Sequence, residues 1–562
     1  MTKPVSIVER IESIVDPLAS DEKAEAVRLG AFLDRVLWEG RGGVLESTGT
    51  FPESELREFA KEGFIEAFVP EKEGGKLDWA RAMRIATRFA AHDLDTTLCL
   101  GGTVLASIPV LLAGTSAQRA RFFAMLREGE MAALALSEMA HGSDLLGGTC
   151  RARPLQEGSI VPFFVFDGEK APANNATVAK EVVVLARTSD LDGATSHSLF
   201  LVPRDTDGVT PLKKLPSLGY RSMDLSGIRF DKAKLPTSAL LGNVGEGFLI
   251  TRRALEISRS GVAMMAVGAH AIALAHAVAH AKERKLYGAP IAELGGVRRL
   301  VAAIASRLIL AMALGRRAAR TIAAFGAPGR ALSSAAKLLC PDLLERSVHD
   351  AGTILGARSL FTDLPFARLR RAAPVLAIFD GSSQLQLDEL WRHAGQWSDA
   401  EPTRKDLDVL WDERRRAFTS DLDDHGLVAR LNPQATLHAF ARHDLGPVVD
   451  AAQSVGEAAR SLRGMPQEIR FRASEAVAWV QGLATLVEAR ENARRTRAED
   501  AALLHAALSV AVADVAPLIG ARLVELATSL GRPKIGTSAK NLVALAGSSI
   551  EAETKLADAF LK

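Results

Sequence analysis

Only three cysteines occur in 562 residues, Cys99, Cys150 and Cys340, and none belongs to a CxxC pair. That scarcity excludes a disulfide framework and a cysteine-rich zinc site, and predicts reduced, buried thiols. A dominant charge sign is missing too. The 69 basic and 67 acidic residues leave a formal charge of +2, too weak a field to hold nucleic acid or an anionic membrane. No uninterrupted apolar run of about 18 residues occurs, so no membrane-spanning helix is expected. The opening MTKPVSIVERIESIVDPLAS has no apolar stretch behind a basic cluster, so no signal peptide is read there and a cytoplasmic location is expected. What remains is a globular composition, 48% hydrophobic and 24% charged, in a chain long enough for roughly two to four domains.

The pattern changes along the chain. Residues 1–130 read as helices: ESELREFAKEGF and WARAMRIATRFAAHDLD place apolar residues three and four apart, the period of a helix face. Over residues 131–245 short runs such as SIVPFFVF, EVVVLART and HSLFLVP alternate with Gly, Pro, Asp and Asn, as in an antiparallel sheet or barrel. Helical periodicity returns over residues 246–395 in long Ala-rich segments. A break at QWSDAEPTRKD, residues 396–406, precedes a further helical region, residues 400–562. The expected fold is mainly α with a central β domain: an N-terminal helical domain, a β-barrel-like middle domain, a C-terminal four-helix bundle and an additional helical domain.

Five segments carry chemistry. LALSEMAHGSD (134–144) offers the hydroxyls of Ser137 and Ser143 beside Gly142, and such a turn brings backbone N–H groups close to a phosphate. DGEKAPANN (167–175), LGYRSMDLSGIRFDKAKLP (218–236), ERKLYGAPIAELGGVRR (283–299) and RRAAPVLAIFDGSSQLQ (370–386) follow in order. Together, over roughly residues 30 to 395, these segments resemble the acyl-CoA dehydrogenases. The helical extension resembles that of the family's very-long-chain branch, where it covers a dimer face, so a homodimer is expected. The extension's stretch RGMPQEIRFRASEAVAWVQG mixes Arg with Phe and Trp, which suits a packed interface or a membrane-surface helix.

The resemblance implies an FAD enzyme that removes an α-proton and a β-hydride from an acyl thioester, carried on coenzyme A or an acyl carrier protein. Reoxidation would fall to an electron-transfer flavoprotein or to oxygen. The flavin contacts carried over are Leu136, Ser137, Gly142, Ser143, Asn174, Arg284, Tyr287, Thr353, Gly356 and Ser382. Arg284 and Tyr287 would reach the pyrophosphate of a neighbouring subunit's flavin. Asp380 stands where the family carries a catalytic Glu. It is one methylene shorter, a loss of reach of about 1 Å that can cost on the order of 10²-fold in rate. Nitroalkane oxidase, in the same superfamily, does use Asp. The other reading of Asp380, before Gly381-Ser382-Ser383, is a helix cap.

Some members place the base immediately before an Arg on an earlier helix. Here that pair is Ser258-Arg259, so the alternative base is missing, and Glu256 reads as a surface or salt-bridge residue. Arg259 either holds a nearby carboxylate ionised or forms a helix-surface ion pair. Pro172, Gly295 and Thr353 replace a Trp and two Gln of the family pattern, each Gln lost removing a hydrogen bond of about 0.5–1.5 kcal/mol. Two rivals therefore stand beside the dehydrogenase: a flavin-poor, inactive protein that binds partners, and a flavin oxidase of a non-thioester substrate. His141 reads as solvent-facing or near a flavin phosphate. His270, His276 and His280 read as core or interface residues, and no metal site is expected at His425 or elsewhere.

Overall fold

The computed structural model describes residues 3–37, 40–155, 163–325, 329–394, 445–461, 464–545 and 550–562. The break at residues 396–406 and His425 lie outside them. The chain opens with helices α1 (Pro4–Val15), α2 (Ser20–Val36), α3 (Arg41–Thr48), α4 (Glu53–Lys61), α5 (Trp79–His92), α6 (Leu94–Ala113) and α7 (Ser116–Arg127). Local chemistry sets several starts. Asp78 and Asp93 accept the N–H groups of Arg81 (3.0 Å) and Thr96 (2.8 Å), capping α5 and α6. Thr115 and Gln118 form a reciprocal capping box at α7, which satisfies two of the donors a helix start leaves unpaired.

The strands are β1 (Ala132–Ala135), β2 (Arg151–Leu155), β3 (Phe163–Asn174), β4 (Glu181–Arg187), β5 (His197–Pro203), β6 (Val209–Leu212), β7 (Leu225–Pro236) and β8 (Leu240–Leu241). They form one sheet in the order β6-β7-β3-β2-β4-β5-β8, with β1 added on β4. The sheet is not purely antiparallel as expected, because β1 and β4 run parallel with Ala132 opposite Glu181. The segment DGEKAPAN, read as a motif, is the second half of β3 and pairs with β7. Phe166 anchors a small core of its own, meeting Phe200 edge-on at 4.8 Å and Phe230 at 5.4 Å.

Long helices α8 (Gly247–Glu283), α9 (Gly295–Phe325) and α10 (Arg330–Leu355) follow, then α11 (Pro365–Ala372), the short α12 (Val375–Ile378) and α13 (Ser383–Ala394). Between α8 and α9 sits a small hairpin of β9 (Lys285–Leu286) and β10 (Ala289–Pro290). Helix α8 is apolar on all sides because α5, α6, α9 and α10 surround it. Close approach to α5 depends on Gly268, where a Cβ would sit 2.2 Å from the Thr87 carbonyl oxygen.

The appended helices are α14 (Gly446–Ser461), α15 (Gln467–Thr496), α16 (Ala498–Leu530), α17 (Pro533–Ala544) and α18 (Ile550–Leu561). They pack on α9, α10 and α13 and share one continuous apolar core with the N-terminal helices. Buried ions tie the junction: Arg307 meets Asp350 at 2.6 Å and Asp514 at 2.8 Å. Trp479 is buried in this core, so it belongs to a packed interface and not to a membrane-surface helix. Helices α6, α8 and α16 are long and apolar enough, by length and composition, to cross a membrane. A search for uninterrupted apolar runs passes over them because Thr, Ser, His and Gly break the runs. Their most apolar windows are 83%, 100% and 61% buried inside the protein.

Candidate active site

A cavity holding about 700 Å³ of empty space, part of it open to solvent, lies between α5, α6, α8 and the turn that joins α12 to α13. Its walls are almost wholly apolar: Phe68, Trp79, Met83, Leu98, Leu105, Ile108, Val262 and Met265 contribute, with Gly101, Gly102 and Gly261 between them. The polar side chains on the wall are Thr97, Asn174, Ser258 and Asp380, with the Trp79 indole N–H turned to Ser260 at 2.9 Å. An apolar cleft with few, converging polar groups is the usual form of a small-molecule site.

Asp380 reaches this wall through an uncommon backbone. Its φ is +57°, and Gly381 follows at +92°, the left-handed region that Asp tolerates better than most residues. The side chain does not cap α13. Both carboxylate oxygens accept from the Ser258 hydroxyl, at 3.0 Å and 2.8 Å. Burial pushes the carboxyl up to about 6, against the opposing pull of the Ser258 hydrogen bond and of the Lys337 and Arg259 charges. The group therefore changes charge just below neutral pH, where a general base is most effective.

Arg259 is buried, not on a helix surface. Its Nη1 donates to Ser334 at 3.0 Å, and among the described residues it forms no ion pair, so its positive charge acts on Asp380 from within the core. Glu256, expected as a surface or salt-bridge residue, is a salt-bridge residue and only 2% exposed. It meets Arg253 at 2.9 Å and also faces Arg252 and Arg330, and it does not reach the cavity wall. Lys337, a group sequence reasoning passed over, lies on α10 and is 1% exposed. Its Nζ donates to the Leu376 carbonyl at 2.7 Å. Burial draws it down to about 8, with Asp380 opposing that shift and Arg259 adding to it. The available signal was a lone cation inside the apolar run AAKLLC, residues 335–340.

The expected flavin contacts divide into groups. Asn174, at the end of β3, lines the cavity; its Nδ2 donates to the Leu98 carbonyl at 2.9 Å, while its Oδ1 is buried with no hydrogen-bond partner. Leu136 and Ser137 lead from β1 into a tight turn closed by Glu138 and His141, and their carbonyls accept from Lys170 Nζ and Ala171 N–H, both at 3.0 Å. Glu138 fixes that turn: it accepts from Thr149, from Cys150 N–H and from Lys170. Gly142 and Ser143 are exposed, with open space where a Gly142 Cβ would stand. His141 faces Asp144 at 3.5 Å. Ser382 follows Asp380 and its carbonyl accepts from Gln386 N–H at 3.1 Å.

Of the ten, Asn174 is the one that lines the cavity, and the remaining four are exposed to solvent. Arg284 is exposed at the end of α8, and Tyr287 is 97% exposed at the tip of the β9–β10 hairpin. Thr353 and Gly356 are exposed at the end of α10, where Thr353 Oγ1 donates back to the His349 carbonyl. His270 and His276 are core residues that burial holds neutral, down to about 3 and about 4.

Comparison with known proteins is consistent across the chain. Family models for the acyl-CoA dehydrogenase N-terminal, middle and C-terminal domains match residues 26–130, 133–233 and 245–395. An acyl-CoA dehydrogenase of Bacillus subtilis (strain 168) is 30% identical over 350 residues, covering 61% of this chain and 90% of the relative. Among solved structures, butyryl-CoA dehydrogenase from Megasphaera elsdenii superposes with a TM-score of 0.63 at 26% identity, over 66% of this chain and 98% of its own. An acyl-CoA dehydrogenase from Bacillus anthracis, solved with FAD, gives a TM-score of 0.82 at 21% identity and covers 98% of this chain and 97% of its own. That likeness of fold takes in the appended helices. From residue 26 to residue 395, then, three successive domains match one family, and the chain belongs to the acyl-CoA dehydrogenases.

Proposed function

We propose that the protein catalyses the FAD-dependent α,β-dehydrogenation of an acyl thioester, with Asp380 as the α-proton base. The observation that carries this reading is a buried carboxylate, held by the Ser258 hydroxyl and presented on the wall of an almost wholly apolar cavity.

The residues suit a flavin. The orphaned Asn174 Oδ1 is an acceptor awaiting an N–H donor, and such a buried polar atom is costly unless something pairs with it. The open backbone at Gly142 and Ser143 suits a phosphate. Leu136, Ser137, Asn174 and Ser382 would hold the ring and its ribityl chain. Arg284, Tyr287, Thr353 and Gly356, exposed on another face, would complete the pyrophosphate and adenine site of a second subunit, which supports a homodimer. When bound, FAD supplies the acceptor for the β-hydride.

The chain's own residues do the rest. The apolar walls admit the acyl chain and exclude water, which keeps a carboxylate strongly basic. Asp380 accepts the α-proton on one oxygen, and Ser258 fixes the orientation of the carboxylate as it does so. Arg259 disfavours loss of that negative charge beforehand. An electron-transfer flavoprotein or oxygen would then take the electrons, and coenzyme A or an acyl carrier protein would carry the substrate.

The test is direct. Purified protein should be yellow, its flavin absorbance should bleach anaerobically with acyl thioesters, and Asp380→Asn should abolish the bleaching. A colourless preparation that takes up no added FAD would instead support the partner-binding reading, to which Pro172, Gly295 and Thr353 point. The shorter Asp favours a second enzymatic reading, an oxidase of a non-thioester substrate. Bleaching by nitroalkanes but not by thioesters would establish it.

A further inference from the structure

The wall behind Asp380 contains a second ionisable group with no part in the reaction as proposed so far. Lys337 sits on α10, one turn beyond Ser333 and Ser334, with 1% of its surface exposed. A lysine this deeply buried is uncommon unless its charge is used. Its Nζ donates to the Leu376 carbonyl at 2.7 Å, an oxygen in the short helix α12. Four residues on, the chain turns into the left-handed conformation that presents Asp380. A single ammonium therefore holds the helix that leads to the base, and its charge acts on the base itself.

The charged surroundings of this pair are simple. Lys337 from α10 and Arg259 from α8 are the charges that act on Asp380. Asp380 and Arg259 are those that act on Lys337. From α5 and α6 the cavity presents apolar side chains and the neutral Thr97, and from β3 the neutral Asn174. Arg259 spends a hydrogen bond on Ser334, so its place is fixed independently of the carboxylate. Without a cation, an apolar pocket favours the neutral acid, which cannot take a proton.

We propose that Lys337 is the positioning residue of the base: its ammonium, anchored on the Leu376 carbonyl of the helix that leads to Asp380, supplies the buried positive charge that keeps Asp380 a carboxylate at neutral pH. This rests on Asp380 being the base. The ammonium never touches the substrate. Its effect is on the fraction of enzyme carrying an ionised carboxylate, and so on the low-pH side of the rate profile. The Asp380–Lys337 pair should titrate jointly, with two apparent values that belong to the pair.

The experiment is anaerobic stopped-flow reduction of the flavin-loaded enzyme by a saturating acyl thioester, from pH 5 to pH 9, in wild type and Lys337→Met. Methionine keeps the length and removes the charge. The acid limb of the variant should move up by about one pH unit or more, the size of effect an adjacent opposite charge produces. Reduction should be about fivefold or more slower near pH 6 and should return close to the wild-type plateau by pH 9. A misfolded or merely loosened site would be slow at every pH. An unmoved acid limb, or a loss that high pH does not recover, would overturn the proposal.

If Lys337→Met does not fold, infrared difference spectra of wild type against Asp380→Asn decide the matter. The Asp380 carboxylate band should persist at pH 7, and finding the protonated acid there would also overturn the proposal. Reduction that survives in Asp380→Asn defeats the assignment of the base. Reduction lost in Asp380→Asn, with an unshifted profile in Lys337→Met, defeats only the role of Lys337.

Discussion

Replacing Ser258 with Ala removes the hydroxyl that both oxygens of Asp380 share, at 3.0 Å and 2.8 Å, and leaves the carboxylate's backbone untouched. A hydrogen bond to a charged group is worth about 1.5–3 kcal/mol, and one pKa unit corresponds to about 1.4 kcal/mol. The bond favours the ionised form, so its loss should raise Asp380 from about 6 by about one to two units. At pH 7 the ionised fraction would then fall from about nine-tenths to between about a half and a tenth. The assay is the pH dependence of anaerobic flavin reduction by a thioester, read as the midpoint of the acid limb. The rate at pH 9 should be nearly that of the wild type, since the carboxylate is ionised there with or without the serine. A midpoint that stays within about 0.3 unit would refute the reasoning, because the hydroxyl would then be a packing group with no electrostatic hold on the base.

Two further outcomes concern stability. Glu138 is held down to about 2 by its hydrogen bonds to Cys150, Thr149 and Lys170, which outweigh its burial. A depressed carboxyl stabilises the fold fully above its unfolded value near 4.5 and loses that contribution as pH falls toward 2. Glu138→Gln should therefore lower the unfolding free energy by roughly 3 kcal/mol at pH 7, with the difference shrinking toward pH 2, as measured by denaturant titration at several pH values; a pH-independent difference would contradict it. Gly268→Val should lower the thermal midpoint, because its Cβ would meet the Thr87 carbonyl oxygen at 2.2 Å and must push α5 from α8. Overpacking of this kind costs about 1–3 kcal/mol, and an unchanged calorimetric midpoint would show that the helices can part freely.

Helix, sheet and helix in succession were legible in the sequence because each element repeats its own period. WARAMRIATRFAAH spaces its apolar residues three and four apart, and α5 forms there, buried on nearly every side; EVVVLAR is a short apolar run, as β4 is. Asp380, Ser258, Arg259 and Asn174 could all be named from motifs, since those segments carry their spacing locally. The parallel pairing of β1 with β4 could not, because register between distant strands leaves no local pattern. Nor could the apolar lengths of α6, α8 and α16 be told from spanning helices by composition, since it is their neighbours that bury them.

What the sequence settled by itself is the family's element order and a carboxylate at position 380. Tertiary structure decided what that carboxylate experiences. Asp380, Ser258 and Lys337 come from three chain segments, and only the packing of α8 and α10 around the α12–α13 turn brings a hydroxyl onto the carboxylate and an ammonium onto the helix that leads to it. The physical reason is that ionisation depends on dielectric and on nearby charge, and neither is a property of a residue's neighbours in sequence.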